Sequence, residues 1–394
     1  PYLAAIRSIG RFYLKQLQPD FQLYVSPLQI NPEDPAMPIT HPGEWGRQLC
    51  ECAGYFSTKE LPEDTKAFQY GIFSGREFWD QSMLVYEERV KALRCLLRDF
   101  EDGLLFMYFG TVDQCCHMLW KYMDDQHPSH ISDEFLANGI RTVYQKMDDV
   151  LQIVLESSPA DASVIVMSDH GFAPFYRSFN LNTWLAGKGY IQLRDPSRLE
   201  GSTLFNNVDW SQTRAYGLGL NGLYINVKGR EKYGIVQAGG EYDQLAERLE
   251  KDLLGMTDPQ TGTKVVTLVV RPPRDFHGIH KSDQSDLLIG YNRGYRCSWE
   301  SPLGEFSREA LANNEDAWSG DHCIDARLVP GTLLTNLEIT RDDPALYDLT
   351  VSVLDEFGVK PLPEMIGHDC LESKPSIRIV KQGGKQGIKG SANP

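Results

Sequence analysis

The sequence lacks any run of about 18 consecutive apolar residues, the length that a membrane-spanning helix requires, so no transmembrane segment is predicted. Positive charge is also scarce, because 39 Lys and Arg residues against 54 Asp and Glu residues give a net charge of -15. An acidic surface repels phosphate backbones, so we expect no nucleic-acid partner. A small anionic substrate would need a cation at its binding site.

Cysteine is too scarce and scattered for a cross-linked scaffold. Among eight cysteines, Cys115 and Cys116 are adjacent, and Cys50 and Cys52 flank one residue, which suits disulfide geometry poorly. There is no Cys-x-x-Cys pair, so a thiolate zinc site is unsupported. We therefore expect free thiols and a cytoplasmic location. The chain starts at Pro1, and a preceding signal peptide would not be visible in this sequence.

What the chain does contain is an alternation of amphipathic segments and short apolar runs. Apolar residues at helical spacing predict four helices, over residues 86–100, 132–157, 242–254 and 344–357. Short apolar runs predict five strands, at residues 104–109, 162–167, 265–270, 287–289 and 331–335. The first run is continuously apolar, and the first two runs are predicted to be strands buried on both faces. This alternation predicts an α/β fold with a mostly parallel sheet sandwiched by helices.

Composition divides the chain into four parts. Residues 1–170 and 286–372 carry the strand and helix alternation and are predicted to form the α/β core. Residues 171–285 contain Gly-rich turns and aromatic clusters, and we predict that they form a cap or insertion on that core. Residues 373–394 are rich in Lys and Gly and are predicted to be a flexible basic tail.

Three short motifs place metal-ligand residue types next to predicted strands. Asp113 and His117 follow the first strand and are four residues apart, so on a helix they share one face and can reach one ion. Asp169 and His170 directly follow the second strand, where the chain leaves the sheet and both side chains can turn toward an ion. Gly171 allows the bend that follows them.

The third motif is Ser319-Gly320-Asp321-His322, just before the last predicted strand. Taken singly, each motif is better explained as a chance pair, a turn capped by an Asp, or ordinary loop composition. Together they hold three of the nine His residues, and two of them fall at the carboxyl ends of strands, where open α/β sheets bind ligands. Together, the three motifs are therefore candidates for a metal site.

In this order, the three motifs resemble the metal framework of the alkaline phosphatase superfamily. The resemblance is strongest to its type I phosphodiesterase/nucleotide pyrophosphatase branch and the bacterial predicted phosphohydrolase/phosphomutase relatives of that branch. It extends over most of the chain, including the stretches 109–120, 219–226 with 229–231, and 318–322 leading to 330–331. The fold that this resemblance implies is the alkaline phosphatase-like α/β core with an inserted cap.

The resemblance implies a metal-dependent phosphohydrolase, either a phosphodiesterase or a phosphatase, with two divalent cations. Asp113, His117 and His322 would bind the first ion, while Asp169 and His170 would bind the second. Two neighbouring cations neutralise a phosphate ester and stabilise both the attacking and the leaving oxygen. Carboxylate and imidazole ligands suit zinc or manganese and do not separate them. The expected substrate is a small phosphate ester.

One part of the family pattern is not found in residues 1–112, namely a strand that ends in Asp and then a Thr or Ser nucleophile at a helix start. Thr40 comes nearest to such a nucleophile, but prolines lie close to it on both sides. We therefore expect the nucleophile to lie upstream of Pro1 and hydrolysis by this chain to be weak or absent. Without those residues, the chain is expected to hold as few as one metal ion.

Two alternatives stay open: a catalytically inactive metal-binding or interaction domain of the same fold, and a phosphomutase of the same superfamily. In the enzyme interpretation, Arg177, Arg214 and Lys281 are candidates for phosphate contacts in the cap region. Unpaired strand edges would also allow the chain to associate with itself, so an oligomer is a further expectation.

Overall fold

The computed structural model describes residues 7–200, 203–277 and 280–372. They contain ten α-helices: α1 (Trp45–Ala53), α2 (Thr65–Gln69), α3 (Gly75–Arg98), α4 (Thr111–Met123), α5 (Glu134–Ala137), α6 (Gly139–Ser157), α7 (Leu181–Gly187), α8 (Gly240–Leu254), α9 (Pro272–Asp275) and α10 (Leu346–Glu356). All four predicted helices are confirmed, although the one at 132–157 is divided into α5 and α6. No helix in the described part of the chain is both long and apolar enough to span a bilayer.

The strands of the described residues are short. They are β1 (Ser8–Ile9), β2 (Phe12–Gln16), β3 (Gln22–Val25), β4 (Gln29–Ile30), β5 (Ile165–Met167), β6 (Ala173–Phe179), β7 (Ala215–Gly217), β8 (Gly222–Ile225), β9 (Val266–Val270), β10 (Leu287–Tyr291), β11 (Gly294–Cys297), β12 (Leu311–Asn313), β13 (Gly320–Asp321), β14 (Leu333–Thr335), β15 (Glu338–Ile339) and β16 (Leu371–Glu372). Four of the five predicted strands are confirmed, as β5, β9, β10 and β14. The predicted burial of β5 on both faces is wrong, because Val166 and Met167 are 37% and 42% exposed.

The α/β class is confirmed, but the mostly parallel sheet is not. One four-stranded sheet has the order β7-β8-β10-β9 and is antiparallel throughout. In the other, β6 pairs in parallel with β11 and antiparallel with β12 and β13. Among the described strands, the β6–β11 ladder is the only parallel one. Apolar runs are typical of buried strands, but they do not encode the direction in which a strand pairs with its neighbour.

Residues 104–109 differ most from expectation, because they form no regular strand. Leu104, Phe106 and Tyr108 are exposed, at 66%, 66% and 51%. The alternate side chains pack against a core that helices α3 and α6 form, and they are Leu105, Met107 and Phe109. The prediction of a strand buried on both faces is therefore wrong, since one side of the segment faces solvent.

Contacts along the chain separate two units. The larger comprises the described residues within 1–158 and 170–330, and the smaller comprises those within 159–169 and 331–372. The smaller unit contains α10 and has its own core of Leu337, Leu349, Cys370 and Leu371. The cap proposed for residues 171–285 stays a prediction, and the predicted tail at 373–394 lies outside the described residues.

The cysteines depart from the expectation of free thiols. Cys52 of α1 and Cys95 of α3 form a disulfide, so that expectation is wrong for these two residues. They are 43 residues apart, so the spacing of neighbouring cysteines in the sequence does not reveal this pair. The other six cysteines are free. Because disulfides persist mainly in oxidising compartments, this bond weighs against the predicted cytoplasmic location.

Candidate metal centre

Helix α4 carries the first two predicted ligands. It begins at Thr111, so Asp113 lies in its first turn and His117 follows one turn later on the same face. The Nε2 atom of His117 lies 3.4 Å from Oδ1 of Asp113. The shared helix face that the spacing predicts is therefore present.

The ring of His117 is fixed by contacts with a distant segment. Its Nδ1 atom lies 2.7 Å from the carbonyl oxygen of Gly320. Because a carbonyl oxygen only accepts hydrogen bonds, Nδ1–H is the donor, and the neutral ring carries its lone pair on Nε2. Trp318 and Phe172 enclose the ring, with centroid distances of 3.7 and 4.7 Å. The lone pair of Nε2 thus faces Asp113.

His322 directly follows β13, which pairs with β6. Its Nε2 atom lies 3.6 Å from Oδ1 of Asp113. Burial and the neighbouring rings of His170 and His117 lower the pKa of His322 to about 4. The ring is therefore neutral near pH 7 and can offer a lone pair to a cation.

His170 also faces the same carboxylate oxygen, with its Nε2 atom 3.9 Å away. Its ring stacks on that of His322 at a centroid distance of 3.4 Å. Its Nδ1 atom lies 3.0 Å from the carbonyl oxygen of Gly171, so Nδ1–H is the donor here too. A Cβ atom at Gly171 would lie 2.8 Å from the carbonyl oxygen of Pro330, which accounts for a glycine at this bend.

Oδ1 of Asp113 is the point on which these rings converge. It is buried and has no hydrogen-bond partner among the described residues. Burial raises the pKa of Asp113, but nearby His117 and the hydrogen bond from Nε2 of Gln114 outweigh it, and the pKa falls below its ordinary value. The carboxylate is therefore ionised and faces three imidazole nitrogens.

Such a set of atoms fits a divalent cation. Two ligand atoms that each lie 2.0–2.1 Å from a tetrahedral zinc are about 3.4 Å apart. The distances from Oδ1 of Asp113 to the nitrogens of His117 and His322, 3.4 and 3.6 Å, are close to that separation. Asp113, His117 and His322 also meet the distance requirement for a shared ion as a group.

The family model described as type I phosphodiesterase / nucleotide pyrophosphatase matches residues 44–303. This range covers more than half of the chain and includes Asp113, His117 and His170. The chain belongs to the type I phosphodiesterase / nucleotide pyrophosphatase family. The resemblance drawn from the motifs is thus confirmed at the level of the family. No curated protein matches the chain.

The remaining candidate residues from the sequence lie in different surroundings. Asp169 lies in the smaller unit, and its role as a ligand stays a prediction. Arg177 is held in a buried pair with Asp258 at 3.0 Å and is not free for a phosphate. Arg214 forms an exposed pair with Glu241 at 3.0 Å, and its contact with a phosphate stays a prediction. Lys281 is exposed in a short 3-10 turn. Thr40, whose hydroxyl oxygen accepts from the backbone N–H of Gly46, supports the start of α1.

Sequence reasoning missed the residues that hold the ligands in this family member. Trp318 packs on His117, and Asp321 and Arg296 form a buried pair beside His322. The available signal was Arg296 itself, because it stands between Tyr295 and Cys297 in a strand whose residues are all buried. A buried arginine requires an anionic partner. No local pattern in the sequence indicates which carboxylate that partner is.

Proposed function

We propose that this chain is a metal-dependent phosphoric ester hydrolase that acts on a phosphodiester or phosphomonoester. Membership of the type I phosphodiesterase / nucleotide pyrophosphatase family supports the class of reaction. We further propose that Asp113, His117 and His322 hold one divalent cation, zinc or manganese. A second ion with Asp169 and His170 as ligands is the arrangement that the resemblance implies.

The observation that carries this proposal is the buried Oδ1 atom of Asp113. It is ionised, accepts no hydrogen bond among the described residues, and lies within 3.9 Å of three imidazole nitrogens. Two of these rings, His117 and His170, direct their N–H groups away from it, toward carbonyl oxygens. Lone pairs that converge in a buried place repel one another unless a cation lies among them.

The charge of the molecule supports the same conclusion. The chain has a net charge of -15, so its surface repels a phosphate ester. A bound divalent cation would neutralise the ester and polarise its phosphoryl oxygens. The residues of the chain would hold the cation in place, and α4 would fix two of them in one rigid turn.

Metal content tests the ligands directly. After exposure to Zn²⁺ or Mn²⁺ and dialysis, we expect the wild-type chain to retain at least one ion by elemental analysis. His322→Ala should lose that ion, because it removes one of the three proposed ligands. His280→Ala is the matched control, since its side chain is exposed and pairs with Asp283 outside the cluster. Equal metal content in wild type and His322→Ala would contradict the assignment.

Hydrolysis of p-nitrophenyl phosphate and bis-p-nitrophenyl phosphate tests the reaction. Metal-dependent release of nitrophenol that is lost in His322→Ala would support the proposal, and the ratio of the two rates would separate phosphatase from phosphodiesterase. The sequence predicts that the rate will be weak or absent, and a high rate would contradict that prediction alone. Metal binding with no turnover of any ester would favour the inactive metal-binding alternative.

A further inference from the structure

Asp321 stands next to His322 and is almost completely buried, at 1% exposure. Its Oδ1 atom accepts hydrogen bonds from the backbone N–H groups of His322 and Cys323, both at 2.7 Å. Its Oδ2 atom accepts one from Nε1 of Trp318, also at 2.7 Å. The carboxylate thus closes a turn around the backbone of His322.

Arg296 supplies the charge that balances this carboxylate. Its Nε atom lies 2.7 Å from Oδ2 of Asp321, although the angle is not that of a hydrogen bond, and the side chain is 2% exposed. The guanidinium also lies 3.9 Å from the ring centroid of Trp299, and Nη1 donates to the carbonyl oxygen of Cys297. Packing and charge therefore hold Arg296 on β11, across β6 from β13.

The same short segment orients two of the proposed ligands. Gly320, which precedes Asp321, accepts the hydrogen bond that sets the ring of His117. Trp318, which donates to Asp321, packs on that ring. A shift of the Asp321 carboxylate would therefore move His322 directly and loosen His117.

Asp321 is not itself a ligand of the proposed ion. Its carboxylate lies near the donor atoms of His322 and Cys323, close enough for a shared ion by distance alone. Both of its oxygens, however, already face donors, two on Oδ1 and two on Oδ2. Ligation would require it to give up charge-assisted bonds in a buried place.

We propose that Asp321, balanced by Arg296, is the positioning residue of the metal centre, which fixes the turn that directs His322 toward Asp113. This inference rests on the metal site of the proposed function. Replacing a residue that hydrogen-bonds to a metal ligand, but does not contact the metal, commonly weakens metal affinity by about 10–100-fold. We expect a change of that size here.

The test is the Zn²⁺ affinity of the whole chain, measured by competition with a chromophoric chelator. Asp321→Asn keeps the shape and one acceptor oxygen, but it places an NH₂ group against two donors, Arg296 and Trp318. We expect the dissociation constant to rise about 10–100-fold in Asp321→Asn and in Arg296→Met. Arg296→Lys keeps the charge and should recover part of the affinity.

A matched control separates positioning from general stability. Arg177 of strand β6 forms an ion pair of similar burial with Asp258, and its side chain contacts Asp258 and Asn313 rather than the proposed ligands. Arg177→Met should lower the melting temperature and leave the Zn²⁺ affinity unchanged. If Arg296→Met does not fold, Asp321→Asn decides the question, together with the visible spectrum of bound Co²⁺, which should change when His322 moves.

The outcomes distinguish this inference from the function on which it rests. Weaker Zn²⁺ binding in Asp321→Asn, with wild-type affinity in Arg177→Met, would establish the positioning role. Wild-type affinity and an unchanged Co²⁺ spectrum in Asp321→Asn, while His322→Ala loses the ion, would overturn the inference alone. A wild-type chain that binds no Zn²⁺ would overturn the proposed metal site and this inference with it.

Discussion

At Gly320, strand β13 passes close to helix α4. A Cβ atom there would lie 2.5 Å from the carbonyl oxygen of Cys116 and 2.9 Å from the ring of Trp120. The first of these is backbone and cannot move without the helix. The close approach is what allows the Gly320 carbonyl to reach Nδ1 of His117. The absence of a side chain at Gly320 therefore allows the hydrogen bond that orients His117, a proposed metal ligand.

Gly320→Ala should accordingly affect both stability and metal binding. We expect a loss of about 1–3 kcal/mol in the free energy of unfolding, as for overpacking in a core, together with weaker Zn²⁺ binding. Urea denaturation and chelator competition measure the two effects. Gly187→Ala, at the end of α7 with no atom near its added Cβ, should lower neither the stability nor the Zn²⁺ affinity. A Gly320→Ala variant with wild-type stability and affinity would show that β13 can move away from α4 without cost.

Residue type and spacing were sufficient to predict that Asp113 and His117 meet, because they are one helical turn apart. His322 was assigned to the same ion by family resemblance. The supports were not predictable in the same way. Arg296 and Asp321 are 25 residues apart and meet only because both flank β6, which no local pattern encodes.

At the scale of elements, α3 shows how strongly a local signal can define a boundary. Ser74 and Glu77 form a capping box, in which each side chain accepts a hydrogen bond from the backbone of the other. The helix then continues for 24 residues and packs its apolar face in two cores. Its carboxyl-terminal part was predicted from periodicity alone, since the 3.6-residue repeat is a property of the segment itself.

Ser74→Ala should weaken the start of α3. Loss of the cap leaves the backbone N–H of Glu77 without its acceptor, and we expect a cost of about 1 kcal/mol in the free energy of unfolding. Ser74→Gly should cost only a few tenths of a kcal/mol, because glycine is also accepted at this position. Urea denaturation of the two variants beside wild type measures the difference. Equal losses in both, or none in Ser74→Ala, would contradict a role for the capping box.

Strands were predicted less well than helices, because pairing depends on segments far apart in the chain. The run at 104–109 has the composition of a buried strand, yet it forms no ladder in the part of the chain that the structure describes. The run at 287–289 does pair, but with antiparallel neighbours. Hydrophobicity thus identified candidates for burial, while the partner and its direction were set by topology.

The whole molecule offers a spectroscopic separation of its two units. All seven tryptophans belong to the larger unit, and they are Trp45, Trp79, Trp120, Trp184, Trp210, Trp299 and Trp318. The ligands Asp113, His117 and His322 belong to the same unit. Tryptophan fluorescence therefore follows the unfolding of the unit that holds the proposed ion, whereas far-ultraviolet circular dichroism also includes α10 of the smaller unit.

Zn²⁺ should therefore stabilise the transition that tryptophan fluorescence reports. A ligand that binds only the folded state at 100 times its dissociation constant adds about 2.7 kcal/mol to the free energy of unfolding. We expect the fluorescence-monitored melting temperature to rise on addition of Zn²⁺ and to fall again with EDTA. His322→Ala should show no such rise, while the His280→Ala control should behave like wild type. An equal rise in the melting temperature of His322→Ala would mean that Zn²⁺ stabilises the larger unit through a site that does not include His322.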